Sequence, residues 1–137
     1  MSSLFIYLWV AIGGALGSVT RLGAVELGAR LWGHDFPWGT LLVNVVGAFV
    51  IGFFATVTDA DAGGRWPVGL AGRQFFMTGV LGGFTTFSAF SLQTLSLARH
   101  GEWTKAGGYV AGSVVLCLVF VWLGQLTALA ISPGRVR

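Results

Sequence analysis

Polar and apolar residues are distributed very unevenly along the chain. Residues 1–20, 36–58, 74–98 and 106–134 contain no Asp, Glu, Lys or Arg. A bilayer core about 30 Å thick needs roughly 20 apolar helical residues to cross it, so each window is long enough to span. The first continues past Arg21 and Glu26 to about Leu31. The pattern predicts an all-α membrane protein with four transmembrane helices, at about 4–31, 38–58, 73–98 and 104–131, in one domain of 137 residues with no extramembrane domain. No basic residue precedes the first apolar run and no small-residue cleavage site is followed by a soluble domain, so a cleavable signal peptide is not expected.

The connections are short. His34-Asp35-Phe36-Pro37 joins the first two spans, Asp59 to Pro67 with Gly63-Gly64 the next two, and Arg99-His100-Gly101-Glu102 the last two. Pro37 suits a helix start. Trp32, Trp38, Trp66 and Trp103 fall beside span ends, where indole rings favour the interface; Trp9 and Trp122 fall inside spans as packing or lipid-facing residues.

Composition sharpens the class. Hydrophobic residues make up 55% of the chain and charged residues 9%, against about 25% charged in soluble domains. A soluble enzyme, a nucleic-acid binder and a disordered tail are excluded: the net charge of +3 comes from singly scattered basic residues, which read as loop charges. The lone Cys117 excludes an internal disulfide framework and a four-cysteine metal site. The spans imply an integral, multi-pass plasma-membrane protein.

Charge balance bears on orientation. One side would hold Arg65, Arg73, Arg135 and Arg137, the other Arg30, Arg99 and Lys105. Four against three is almost no positive-inside bias. Such a chain is expected to insert in both orientations, and opposed copies can pair about a two-fold axis in the membrane plane. The alternative is that the N-terminal amine and the four arginines define one cytoplasmic side.

Glycine pairs four apart, Gly13/Gly17, Gly79/Gly83 and Gly108/Gly112, allow close helix approach in lipid and supply faces for oligomerisation. Polar residues inside the spans are costly unless paired or wetted. Thr40 and Asn44 share one face of the second span; Tyr109, Ser113 and Cys117 share one face of the fourth. Either set lines a path, or serves as a helix–helix hydrogen bond and a packing seam. In the third span Gly82-Gly83 is followed by Phe84 and by Thr85-Thr86, a poor helix centre. A helix broken near mid-membrane exposes carbonyls from one half and amides from the other, elements that bind a cation and an anion respectively; a continuous helix with a tolerated glycine pair is the other reading. Phe87 and Phe90, three apart, share a face, and phenyl edges carry partial positive charge.

These residues resemble the CrcB/Fluc family of fluoride channels over nearly the whole chain. Gly13-Gly14-Ala15-Leu16-Gly17-Ser18-Val19-Thr20-Arg21 is similar to the family's first-helix glycine motif ending in arginine. Gly39 to Phe49, centred on Asn44, is similar to its second-helix asparagine motif. Gly82-Gly83-Phe84-Thr85-Thr86-Phe87-Ser88-Ala89-Phe90 is similar to its third-helix signature. The resemblance implies an antiparallel, dual-topology homodimer with two fluoride pathways, a central structural sodium ion (Na+), and no enzymatic activity. By motif it implies that Phe87 and Phe90 face fluoride with their ring edges, that Asn44 donates a hydrogen bond, and that Thr86 and Ser88 supply hydroxyl contacts. Thr40 joins Asn44 on the pore face, and Tyr109 and Ser113 match a polar track on the fourth helix. Arg21 matches an arginine near one pore mouth. Gly82 and Thr85 match the positions whose backbone carbonyls hold sodium, each contributed twice across the dimer axis. Cys117 stands where a hydroxyl residue is common, and Gln93 where many members have a glutamate or another polar residue.

The implied function is passive export of fluoride that lowers cytoplasmic fluoride, in a bacterial inner membrane, with fluoride, lipid and a second copy of the chain as partners and no nucleic acid. Two other readings remain. A proton-coupled small multidrug exporter needs an intramembrane carboxylate, for which Glu26, beside Arg21 and Arg30, is the one candidate; an interfacial ion-pairing role is expected for it instead. A non-transporting assembly subunit predicts no flux and tolerance of substitutions at Phe87, Phe90 and Asn44.

Overall fold

The structure is a computed structural model, and it describes residues 3–59, 64–66 and 68–132. Gly63, Pro67, Arg135 and Arg137 lie outside them. Four helices are long and apolar enough to cross a membrane: α1 (Ser3–Trp32), α2 (Trp38–Val57), α3 (Leu70–Arg99) and α4 (Trp103–Ile131). Among the described residues every regular element is helical.

The helix ends follow from local chemistry. Gly33, at φ +82°, closes α1 with its amide on the Ala29 carbonyl at 2.9 Å. Gly101, at φ +79°, closes α3: its amide reaches the Ala98 carbonyl and the Glu102 amide reaches the Leu97 carbonyl, each at 3.0 Å. That pair of bonds satisfies carbonyls the helix end leaves orphaned, in a backbone conformation glycine adopts without a Cβ penalty. Pro37 immediately precedes α2, and its carbonyl accepts from the Leu41 amide at 3.1 Å.

What is buried in α1 inverts the pattern of a soluble helix. Its buried residues are Gly13, Gly17 and Gly28, while Leu4, Leu8, Ile12, Leu16 and Val19 are exposed. Large apolar side chains face outward and small residues face inward, as packing in lipid favours. A Cβ on Gly17 would overlap the Val80 carbonyl, and one on Gly83 would lie 2.5 Å from the Gly14 carbonyl. Backbone therefore meets backbone where α1 crosses the first half of α3. By contrast no heavy atom lies near a Cβ built on Gly108 or Gly112, so that pair faces away from the chain's other helices. A second packed pair, α2 against α4, brings Gly52 to Val121 and Gly124 to Phe49.

Helix α3 is not uniform. Leu70–Arg73 is α-helical, Gln74–Leu81 widens to a π-helix, Gly82–Phe84 returns to α, and Phe87–Arg99 is α-helical again. Between Phe84 and Phe87, Thr85 (φ −84°, ψ 160°) and Thr86 (φ −155°, ψ 117°) take extended backbone. Gly82 itself remains in the helical region.

Arginines cap two helix ends on one face of the bundle. Arg73 donates from Nη1 to the Thr58 hydroxyl at 2.9 Å and the Ala55 carbonyl at 3.3 Å, and Arg65 donates to the Ile131 carbonyl at 2.8 Å. Cations there complement the negative helix C-termini. Trp32, Trp38, Trp66 and Trp103 are all exposed.

Candidate anion pathway

Extended backbone in the middle of an apolar segment leaves peptide groups unpaired, and each must find a partner away from water. The Asn44 carboxamide on α2 supplies both for Thr86: the Thr86 amide donates to Oδ1 at 2.8 Å, and Nδ2 donates to the Thr86 carbonyl at 3.0 Å. Asn44 thus imitates a strand partner, and it still holds a second N–H on Nδ2. Gly47, one turn further along α2, makes room: a Cβ there would overlap the Thr85 methyl. The Thr86 hydroxyl accepts from the Ala89 amide at 3.2 Å, capping the second half of α3, and lies 3.3 Å from the Ser88 hydroxyl. The Thr85 amide and hydroxyl both donate to the Leu81 carbonyl at 2.9 Å.

Because the Thr86 amide is turned to Asn44, the Gly82 carbonyl loses its helical donor, and no described backbone amide replaces it. The Thr85 carbonyl accepts only a long bond, 3.4 Å, from Nη1 of Arg21. Two under-used carbonyls at the end of a helical half are the donor set that a hard monovalent cation takes, so Gly82 and Thr85 fit such an ion. Arg21, expected near a pore mouth, lies in this structure against the extended segment itself.

Phe87 and Phe90 come together as their spacing implies, with ring centroids 5.3 Å apart. Their environments differ sharply: Phe87 is 78% exposed and Phe90 7%. Phe90 packs on Tyr109, centroids 5.0 Å apart, and Tyr109 meets Phe36 edge-on at 5.3 Å. Tyr109 is wholly buried, and its hydroxyl donates to Oε1 of Gln93 at 2.9 Å. Nε2 of Gln93 in turn donates to the Thr40 hydroxyl, also at 2.9 Å. Gln93 is the residue that sequence reasoning left without a role. A signal was available, since Gln93 continues the three-residue spacing of Phe87 and Phe90 along one helix face.

Two cavities flank this relay. One, of about 380 Å³, is bordered by Asn44, Thr86, Phe87, Phe90, Ser113 and Cys117, with Gly82 and Thr85 also on its wall. The other, of about 220 Å³, is bordered by His34, Asp35, Thr40, Gln93 and Ser96 near the α1–α2 loop. Thr40, on the smaller cavity, and Asn44, on the larger, are one turn apart on α2. Ser113 is buried and its hydroxyl has no partner among the described residues. All the residues named on the larger cavity are neutral, and they offer amide, hydroxyl and phenyl-edge hydrogens. That chemistry suits a small anion rather than an organic cation. Glu26 is exposed on α1 and makes no ion pair among the described residues, which corrects the interfacial pairing expected for it. It borders neither cavity.

A family model described as CrcB-like protein, Camphor Resistance (CrcB), matches residues 8–125. The chain belongs to the CrcB-like family. Its relatives carry a consistent name. A protein of Opitutus terrae named fluoride-specific ion channel FluC is 61% identical over 127 residues, 93% of this chain and 95% of that one. Proteins with the same name from Methylocella silvestris and Rhodospirillum rubrum are 54% and 53% identical, over 94% and 93% of this chain and 97% and 98% of their own lengths. With four membrane-length helices, this CrcB-like chain is a multi-pass integral membrane protein.

Proposed function

We propose that this chain is a fluoride-selective passive channel that exports fluoride across the bacterial inner membrane, working as an antiparallel homodimer with two pathways. The observation that carries the reading is the neutral lining of the larger cavity, with Asn44, Phe87, Phe90 and Ser113 on its wall and the Thr40–Gln93–Tyr109 hydrogen bonds adjoining it at Phe90. It agrees with the name shared by relatives that match nearly end to end.

The chemistry follows from the ion. Fluoride is small, strongly hydrated and a strong hydrogen-bond acceptor, so a narrow route must replace its water with donors. Asn44 offers its unused Nδ2–H, Tyr109 and Thr40 offer hydroxyls that rotate, and Ser113 offers a hydroxyl with nothing else to bond. The ring edges of Phe87 and Phe90 add a weak positive field. Contacts of this kind admit an ion and release it, as conduction requires. Chloride is larger and a poorer acceptor, and it recovers less of its lost hydration from the same donors.

The antiparallel pairing is supported by the balanced loop charges and by Gly108 and Gly112, which no other described residue covers. In that arrangement the interruption of α3 sits near mid-membrane and faces its symmetry mate. Sodium would be held by the Gly82 and Thr85 carbonyls of both copies, supplying a fixed positive charge that ties the two extended segments together. Biologically, fluoride enters from acidic media as the neutral weak acid and leaves through the channel as the anion.

Expression in a fluoride-sensitive bacterium tests the reading. Growth is expected at fluoride concentrations that stop the parent strain, with no rescue by Asn44→Ala at equal membrane abundance. Abundant, membrane-inserted protein that gives no resistance would contradict it.

A further inference from the structure

Cys117 shares the wall of the larger cavity with Phe87 and Phe90 and is half-buried there. Ser113, one turn earlier on the same face of α4, borders the same cavity; it is 6% exposed and its Oγ has no hydrogen-bond partner among the described residues. A thiol reachable from a cavity and an orphaned buried oxygen beside it form a pair of donors that the fold itself does not use. We propose that Cys117 and Ser113 form a binding site for a soft monovalent cation of the copper(I) or silver(I) class, and that occupancy of this site closes the pathway.

This inference rests on the cavity being part of the fluoride route. Thiolate sulfur selects soft cations over the hard ions abundant in the cell, and the thiolate is the form that binds. The step is a simple exchange: the Cys117 S–H bond breaks, an S–metal bond forms, and the proton leaves to water. No electron is transferred. The Ser113 oxygen adds a weak second ligand from its lone pair. Closure is steric: the ion takes up space in the cavity, while exchange of the thiol proton for a monovalent cation leaves the net charge there unchanged.

The test uses the full chain in liposomes loaded with fluoride, with silver nitrate as the probe and chloride absent, since silver fluoride is soluble and silver chloride is not. Efflux is read with a fluoride electrode, and each variant is compared with its own silver-free rate. A parallel sample in detergent is treated with silver, then with a maleimide, and the mass of the chain reports whether Cys117 was protected. Expected are loss of efflux with silver, recovery on adding dithiothreitol, protection of Cys117 from the maleimide, and disappearance of the silver effect in Cys117→Ser. Ser113→Ala should raise the silver concentration needed for half-block. Protection of Cys117 with undiminished efflux would overturn the closure, and full alkylation in the presence of silver would overturn the site. Absence of fluoride efflux before any silver is added would instead sink the channel reading, while the protection assay still decides the site.

Discussion

The crossing of α1 over the first half of α3 and the wall shared by α2, α4 and the second half of α3 are built on opposite principles. At the crossing, Gly13 meets Gly79 and Val80, Gly17 meets Val80 and Phe84, and Gly83 meets Gly14, all backbone to backbone. No side chain intervenes that can swing aside. At the wall, contact is made by hydrogen bonds donated by Asn44, Gln93 and Tyr109, with the Thr40 hydroxyl accepting, around a cavity and a hydroxyl that has no partner among the described residues. The first arrangement suits a frame, because close-packed backbone cannot adjust. The second suits passage, because hydroxyls and amides can exchange one acceptor for another.

The sharpest way to break this contrast is a methyl group at the crossing. Gly17→Ala puts a Cβ onto the Val80 carbonyl and is expected to cost about 3 kcal/mol, at the upper end for overpacking. It should be read as loss of the monodisperse fraction after detergent extraction. Gly23→Ala on the same helix meets open space and should shift stability by no more than about 0.5 kcal/mol. Equal effects at the two sites would mean that the crossing is not the frame.

Asn44→Ala comes next, because it orphans the amide and carbonyl of Thr86 together. About 2 kcal/mol of stability is expected to go, and fluoride efflux should fall by more than about tenfold as a preorganised donor is lost. Gln93→Leu leaves the Tyr109 and Thr40 hydroxyls without their shared partner. About 1 kcal/mol is expected, together with a severalfold loss of flux measured against thermal unfolding of the same preparation. Phe87→Ile separates the two roles most cleanly. The side chain is 78% exposed, so thermal stability in detergent should change by less than about 0.5 kcal/mol while fluoride efflux drops. The smallest effect belongs to Arg65→Gln, which removes an exposed bond to the Ile131 carbonyl. Stability is expected to move by less than about 0.5 kcal/mol and flux not at all.

How much was legible beforehand divides along the same line. Charge-free windows mark the four apolar helices, because the absence of charge over some twenty residues is a property of composition that no tertiary contact alters. The glycine pairs Gly13/Gly17 and Gly79/Gly83 mark the crossing, since only a missing Cβ permits it. The pair Gly108/Gly112 carries the same spacing and meets nothing among the described residues, so spacing alone does not say which glycines are used. Within Gly82 to Thr86, propensity does not say which peptide leaves the helix. Gly82 stays helical and the threonines extend, because Asn44, 42 residues away, takes both peptide groups of Thr86. The π-helical widening at Gln74–Leu81 left no mark in the sequence. Gln93 was equally hard to place, because a lone amide gains meaning only when the fold brings Tyr109 and Thr40 to its two ends.

The central claim is that the donor-lined cavity conducts fluoride and rejects chloride. Purified protein in sodium-containing liposomes, with valinomycin carrying the compensating potassium current and an ion-selective electrode reading the outside, tests it most directly. Fast fluoride efflux, no chloride efflux, and suppression by Phe87→Ile or Asn44→Asp are the predicted result. Intact, folded protein that releases neither ion, or releases both alike, would contradict the account; silence to both would favour an assembly subunit in its place.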